Sequence, residues 1–152
     1  MRTFVFAYGS NLDPARMTRR VPSARYVGRA WLRGYSLRFH KRGWDDGTGK
    51  ADAFRTGGEE VVHGVVYEVA ELELAALDVH EIGYDRRLQE FLLASPHEAV
   101  AVEAWVYLAL PEVIDDTLVP TRWYLDHVLA GARAHGLPRD LIGRLEALPT
   151  EG

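Results

Sequence analysis

The chain has 152 residues, 47% of them hydrophobic and 26% charged, with a formal net charge of −4; this is enough for one domain with a sizeable core and too little for two. There is no cysteine, so disulfides, thiolate-ligated zinc and a cysteine nucleophile are excluded by counting, and any catalysis must use oxygen or nitrogen groups. Charge is uneven: residues 1–55 carry 12 Lys and Arg against 4 Asp, whereas residues 56–152 carry 6 Arg against 18 acids.

The first predicted element is a short buried strand over Thr3–Ala7, apolar or β-branched and free of charge. It runs into Tyr8-Gly9-Ser10-Asn11-Leu12, where Gly9 permits a sharp turn and Asp13-Pro14 can cap and start a helix. Strand, polar loop and helix start therefore meet at one point. Backbone N–H groups of that loop, with the Ser10 hydroxyl and the Asn11 amide, suit a carboxylate, a phosphate or a developing oxyanion; spacing alone fits an ordinary strand-to-helix turn equally well. The helix should end before Val21-Pro22, because a proline disfavours helical geometry in the residue before it.

Strands are expected over Ala24–Leu32 and Tyr35–His40 with a bend at Gly34. Residues 43–49 read as a loop, and Gly49-Lys50 lacks both the leading glycine and the following Ser or Thr of a phosphate-binding loop. Val61–Val69 reads as a strand, and Glu71–Glu81 switches to helical spacing. Val100–Leu110 alternates as a strand with both faces largely buried. A helix opens at Thr121, presents Leu125, Val128, Leu129 and Ala132, and stops at Gly136; Pro138 starts another with Leu141, Ile142, Leu145 and Leu148. No repeat, linker or low-complexity tract interrupts the chain. Strands with interspersed helices, lacking regular βαβ alternation, predict an α+β domain spanning residues 1–152 with a mixed or barrel-like sheet.

Glu81 stands out among the titratable residues. Leu74, Leu77, Asp78 and Glu81 fall at i, i+3, i+4 and i+7, which continues an apolar stripe into a carboxylate. A helix C-terminus, the neighbouring Asp78 charge and partial burial would all raise its pKa, as general acid–base work near neutral pH requires. The competing reading is a helix that frays early and leaves Glu81 in solvent. The six histidines form no i, i+3 or i+4 pair, so no metal site is expected, and His80 reads as a rim residue. Ser10 lacks the surroundings of a nucleophile and reads as a binding group. The arginines of residues 1–55 fall mostly among apolar residues without an aromatic stacking pattern. That describes solvated faces better than a nucleic-acid module, although their field would still draw in a small acidic substrate.

Phe6-Ala7-Tyr8-Gly9-Ser10-Asn11-Leu12, Pro22-Ser23-Ala24, Gly64-Val65-Val66-Tyr67, Leu77-Asp78-x-x-Glu81, and Gly131-Ala132 with Gly136-Leu137-Pro138 together resemble the γ-glutamylcyclotransferase family, in family order across nearly the whole chain. The resemblance implies a small mixed β-barrel flanked by helices. It also implies cofactor-free cyclisation of a γ-glutamyl amino acid or γ-glutamylamine to 5-oxoproline, with Glu81 as catalytic acid–base and no metal. Tyr8, Gly9, Ser10, Asn11 and Leu12 would hold the γ-glutamyl group, with Tyr84 and Tyr107 as further substrate-binding residues. One departure is that relatives usually have glycine directly after the glutamate, whereas this chain reads Glu81-Ile82-Gly83-Tyr84. The alternative is a non-catalytic domain of the same fold that binds a γ-glutamyl or other acidic small molecule. The expected setting is cytoplasmic, as a monomer or homodimer, with a small-molecule partner and no nucleic acid or membrane.

Overall fold

The computed structural model describes residues 1–152 and contains seven strands and four helices. The strands are β1 (Arg2–Ala7), β2 (Arg25–Arg33), β3 (Tyr35–Arg42), β4 (Gly49–Arg55), β5 (Val61–Ala70), β6 (Tyr84–Leu93) and β7 (Val100–Ala109). The helices are α1 (Pro14–Arg20), α2 (Leu74–Val79), α3 (Arg122–Ala134) and α4 (Arg139–Glu146). Five strands close a barrel in the order β1-β5-β2-β6-β7, antiparallel throughout except for the parallel contact of β1 with β7 at Val5 and Trp105. β3 and β4 form a separate two-stranded sheet. The expected small mixed barrel flanked by helices is therefore the architecture. No helix is long and apolar enough to cross a membrane.

The second half of β1 sits in the core because Phe4–Ala7 carry no polar side chain to solvate, whereas Arg2 at its start is exposed and paired with Glu68. Val5, Phe6 and Ala7 are buried, and Phe6 stacks on Phe91 of β6 with ring centroids 4.3 Å apart; burying one such ring contributes about 2–3 kcal/mol. Across β1, Gly64 of β5 allows the close approach, since a Cβ there would lie 2.2 Å from the Ala7 carbonyl oxygen. Asp13 caps α1 by accepting from the Ala15 N–H at 3.1 Å, and α1 stops at Arg20, ahead of Pro22 as predicted.

α3 is fastened to the loop that follows β1. Its stripe of Leu125, Val128, Leu129 and Ala132 is buried, and a Cβ on Gly131 would fall 2.2 Å from the Leu12 backbone carbon. The helix backbone thus lies directly on the 3-10 turn Ser10–Leu12. Gly136 ends α3 with φ 64°, while the Gly136 and Leu137 N–H groups donate to the Arg133 and Ala132 carbonyls. This is the left-handed cap that glycine adopts without strain.

Three elements differ from the sequence-based expectation. The helix expected over Glu71–Glu81 is a 3-10 turn at Glu71–Glu73 followed by α2, which stops at Val79. Gly83, with φ 88°, then turns the chain into β6. The other two, β4 and β6, are strands that hydrophobic patterning did not mark.

Candidate active site

The loop after β1 and the segment after α2 face each other across a cavity of about 40 Å³. Tyr8, Gly9, Ser10 and Asn11 line one side, and Glu81, Tyr84, Tyr107 and Tyr124 line the other. Within the 3-10 turn, Leu12 N–H donates to the Gly9 carbonyl and Asp13 N–H to that of Ser10. The N–H groups of Gly9, Ser10 and Asn11 stay outside the turn's own bonds, as the leading donors of any helical turn do. A second, outer cleft of about 300 Å³ shares Ser10, Glu81, Tyr84 and Tyr124 with the cavity. Glu81 therefore stands at the junction of a small inner space and a larger outer one.

The Glu81 side chain is 12% exposed. Its Oε1 accepts from the Asn11 Nδ2 at 2.9 Å, and Arg20 Nη1 lies 3.7 Å from the same oxygen. Arg20 also donates to the Asn11 Oδ1 at 3.1 Å, which orients the amide so that its NH₂ faces Glu81. Burial pushes the Glu81 carboxyl up to about 7, against the opposing pull of Arg20, the Asn11 amide, Lys41 and Arg16. The direction agrees with the sequence reading but the cause is narrower. Asp78 contributes no repulsion, because it is turned away to accept from Arg86 Nε at 2.8 Å and from the Tyr107 hydroxyl at 2.6 Å. α2 does end early, and Val79, His80 and Ile82 around its end are exposed; only the Glu81 side chain turns inward, toward Arg20 of α1.

The tyrosines form the walls with hydroxyls already engaged. Tyr8 donates to the Tyr107 carbonyl at 2.5 Å and Tyr84 to the Ala51 carbonyl at 2.6 Å, while Tyr124 accepts from the Ala51 N–H at 3.1 Å. Burial holds the pKa values of Tyr8, Tyr84 and Tyr124 above the ordinary phenolic value, and burial with the Asp78 carboxylate does the same to Tyr107. All four phenols are therefore protonated and neutral at physiological pH. Two of them grip Ala51 by its backbone and so fix β4 over the cavity.

Of the predicted site residues, Glu81, Tyr8, Gly9, Ser10, Asn11, Tyr84 and Tyr107 come together at the cavity. Leu12 does not. Its side chain is 1% exposed within the core, and its carbonyl accepts from His135 Nε2 at 2.9 Å, so it supports the loop against α3 instead of lining the cavity. His80 is exposed at the rim of the outer cleft. Arg16, Arg20, Lys41, Lys50 and Ala51 were not foreseen as site residues; they arrive from α1, β3 and β4, and no local spacing ties them to Glu81. No group of three or more His, Asp or Glu is arranged to hold a metal. A larger groove, about 580 Å³, runs between β3 and α4 and contains none of the predicted residues.

A family model described as gamma-glutamyl cyclotransferase, AIG2-like, matches residues 5–126. No curated protein gives a significant sequence match. Among solved structures, one named gamma-glutamyl cyclotransferase superposes with a TM-score of 0.88 at 26% identity, covering 99% of this chain and 90% of the other. An uncharacterized human protein gives 0.86 at 26% identity, with 99% and 89% covered. A yeast gamma-glutamyl cyclotransferase specific to glutathione gives 0.69 at 15% identity, covering 95% and 93%, and shares the fold. With its barrel, its Tyr-Gly-Ser-Asn loop and a family match over most of its length, this chain belongs to the gamma-glutamyl cyclotransferase, AIG2-like family.

Proposed function

We propose that the protein cyclises a γ-glutamyl amino acid or γ-glutamylamine to 5-oxoproline and releases the free amine, with Glu81 as the single general acid–base and no cofactor. The observation that carries this reading is the placement of one buried carboxyl, raised to about 7, at the mouth of the cavity formed by the Tyr8–Asn11 loop. A proton carrier that both takes and returns a proton near neutral pH needs such a value.

In the proposed reaction the substrate's α-ammonium gives a proton to the Glu81 carboxylate, and the freed nitrogen attacks the γ-carbonyl carbon of its own chain. A carbon–nitrogen bond forms and the carbonyl oxygen becomes an oxyanion. The N–H groups of Gly9, Ser10 and Asn11 are the donors available to hold that oxyanion. As the oxyanion collapses, the bond to the leaving nitrogen breaks and Glu81 returns the proton to it. The second proton shed by the ring nitrogen accompanies the amine as ammonium, so atoms and charge balance. Ring closure also needs a folded substrate conformer, and the four tyrosines that wall the site confine a glutamyl chain bound at the loop. Tyr84 and Tyr107 serve as walls in this scheme, Ser10 as an anchor and Asn11 as the orienting partner of Glu81.

The test is release of 5-oxoproline from a panel of γ-glutamyl amino acids, γ-glutamylamines, γ-glutamyl-lysine and glutathione, followed by NMR. Turnover of at least one class is expected. Tight binding of such a compound without turnover by the folded protein would replace this reading with the non-catalytic binder.

A further inference from the structure

The outer cleft contains cations that the cyclisation scheme leaves unused. Arg16 anchors its Nε on the Ser10 hydroxyl at 3.1 Å, while its terminal Nη1 and Nη2 meet no acceptor and no carboxylate lies within ion-pair distance. Its guanidinium is held in place: it lies 5.4 Å from the centroid of the Trp123 ring, which packs edge-on against His127, and His127 is bonded to the Asp13 carboxylate at 2.7 Å. Lys41 is the only lysine or arginine in the protein's buried set, at 3% exposure. Its Nζ has a single acceptor, the Ile82 carbonyl at 2.5 Å, sits over the Tyr84 ring at 4.5 Å, and has no carboxylate partner. A buried ammonium with unused donors and a rigid guanidinium fork, both lining one cleft, form an unfilled receptor for an anion.

The position of that receptor identifies the anion. In the cyclisation reading the reacting carbonyl lies beside Glu81 and the glutamyl part is held by the Tyr8–Asn11 loop, which leaves the outer cleft to the leaving amine. Glu81, Asp45 and Asp46 also border this cleft, and Lys50 is already paired with Asp46 at 3.1 Å. An anionic leaving group would be repelled there unless Arg16 and Lys41 received it. We infer that Arg16 and Lys41 are specificity-determining residues that hold a carboxylate on the leaving amine, so that the preferred substrates are γ-glutamyl conjugates of amino acids over those of simple amines. This inference rests on the cyclisation reading and adds to it the choice between its two substrate classes.

The test compares γ-glutamyl-L-alanine with γ-glutamyl-ethylamide, whose leaving group is alanine without its carboxylate. For the unmodified protein kcat/KM should be at least about 10-fold higher for the alanine compound, the effect of a charge-assisted hydrogen bond. In Arg16→Gln and Lys41→Gln that preference should fall toward unity, chiefly through a higher KM for the alanine compound. The ratio between two substrates of one preparation is insensitive to how much of a variant folds. Equal turnover of both compounds by the unmodified protein, or an unchanged ratio in both variants, overturns this inference and leaves cyclisation standing. Turnover of neither compound while another member of the panel is cyclised overturns this inference alone, and no turnover across the whole panel overturns both.

Discussion

Replacing Arg20 by Gln should move the pH dependence of the reaction upward. Arg20 Nη1 is 3.7 Å from Glu81 Oε1, with the two side chains 15% and 12% exposed. At about 4 Å a pair of unit charges is worth roughly 1 kcal/mol in bulk water and roughly 4 kcal/mol at an effective dielectric of ~20. Burial places this pair above the lower figure, and spreading of the guanidinium charge places it below the upper one, so about 2 kcal/mol is reasonable. At ~1.36 kcal/mol per unit, that is a rise of about 1.5 pKa units. Loss of Arg20 also frees the Asn11 amide to rotate its donor away from Glu81, which acts in the same direction. Since the reaction starts with Glu81 ionised, kcat/KM climbs with pH through this pKa. The acid limb should therefore shift from a midpoint of about 7 to about 8.5 in Arg20→Gln, with Arg20→Lys in between. The assay is initial-rate 5-oxoproline release between pH 5 and 10. An acid limb that stays in place, or moves down, refutes the assignment of Arg20 as the group that tunes Glu81.

Glu81→Gln should raise stability where Glu81 is normally ionised. The carboxyl titrates near 4.5 when unfolded and at about 7 when folded, so the folded state binds the proton more tightly and stability falls as pH rises through that window. The variant should thus be more stable than the parent at pH 8, by up to about 3 kcal/mol, and equal to it near pH 4; thermal melts at the two pH values check both the size and the sign. Gly131→Ala puts a methyl 2.2 Å from the Leu12 backbone carbon, where no flexible side chain can yield. A loss of about 3 kcal/mol or more in urea unfolding is expected. Gly9→Ala brings a Cβ to 2.9 Å from Ala51 Cβ and 3.3 Å from the Tyr124 hydroxyl. The crowding falls on the cavity itself and Ala51 Cβ has no freedom to yield, so 5-oxoproline release should drop by at least ~10-fold with a smaller loss of melting temperature than in Gly131→Ala.

Much of this molecule was legible from local chemistry. The charge-free run Thr3–Ala7, the Asp13-Pro14 start, the positive φ of Gly34 and Gly136, and the Thr121 cap each act through neighbours in sequence, and each element forms as read. β4 was hidden because Gly49-Lys50-Ala51-Asp52-Ala53 has low strand propensity. Its burial depends on Asp52 pairing with His40 at 2.7 Å and accepting from the Ala109 N–H, partners distant in sequence. β6 was hidden because Asp85-Arg86-Arg87-Leu88-Gln89-Glu90 faces solvent over much of its length, with Phe91 its one fully buried residue. Glu81 was visible as a carboxylate at the end of an apolar stripe, but its surroundings were not. Arg20, Lys41 and Ala51 reach it through tertiary folding alone, and the same folding turns Leu12, a member of the loop motif, into core.

The most direct measurement is 5-oxoproline release by the unmodified protein and by Glu81→Gln, purified together, on the γ-glutamyl substrate that the panel identifies. Gln keeps the shape of the side chain and cannot accept a proton. A folded variant whose kcat falls by at least ~10²-fold is expected; near-normal turnover by that folded variant would rule out Glu81 as the acid–base.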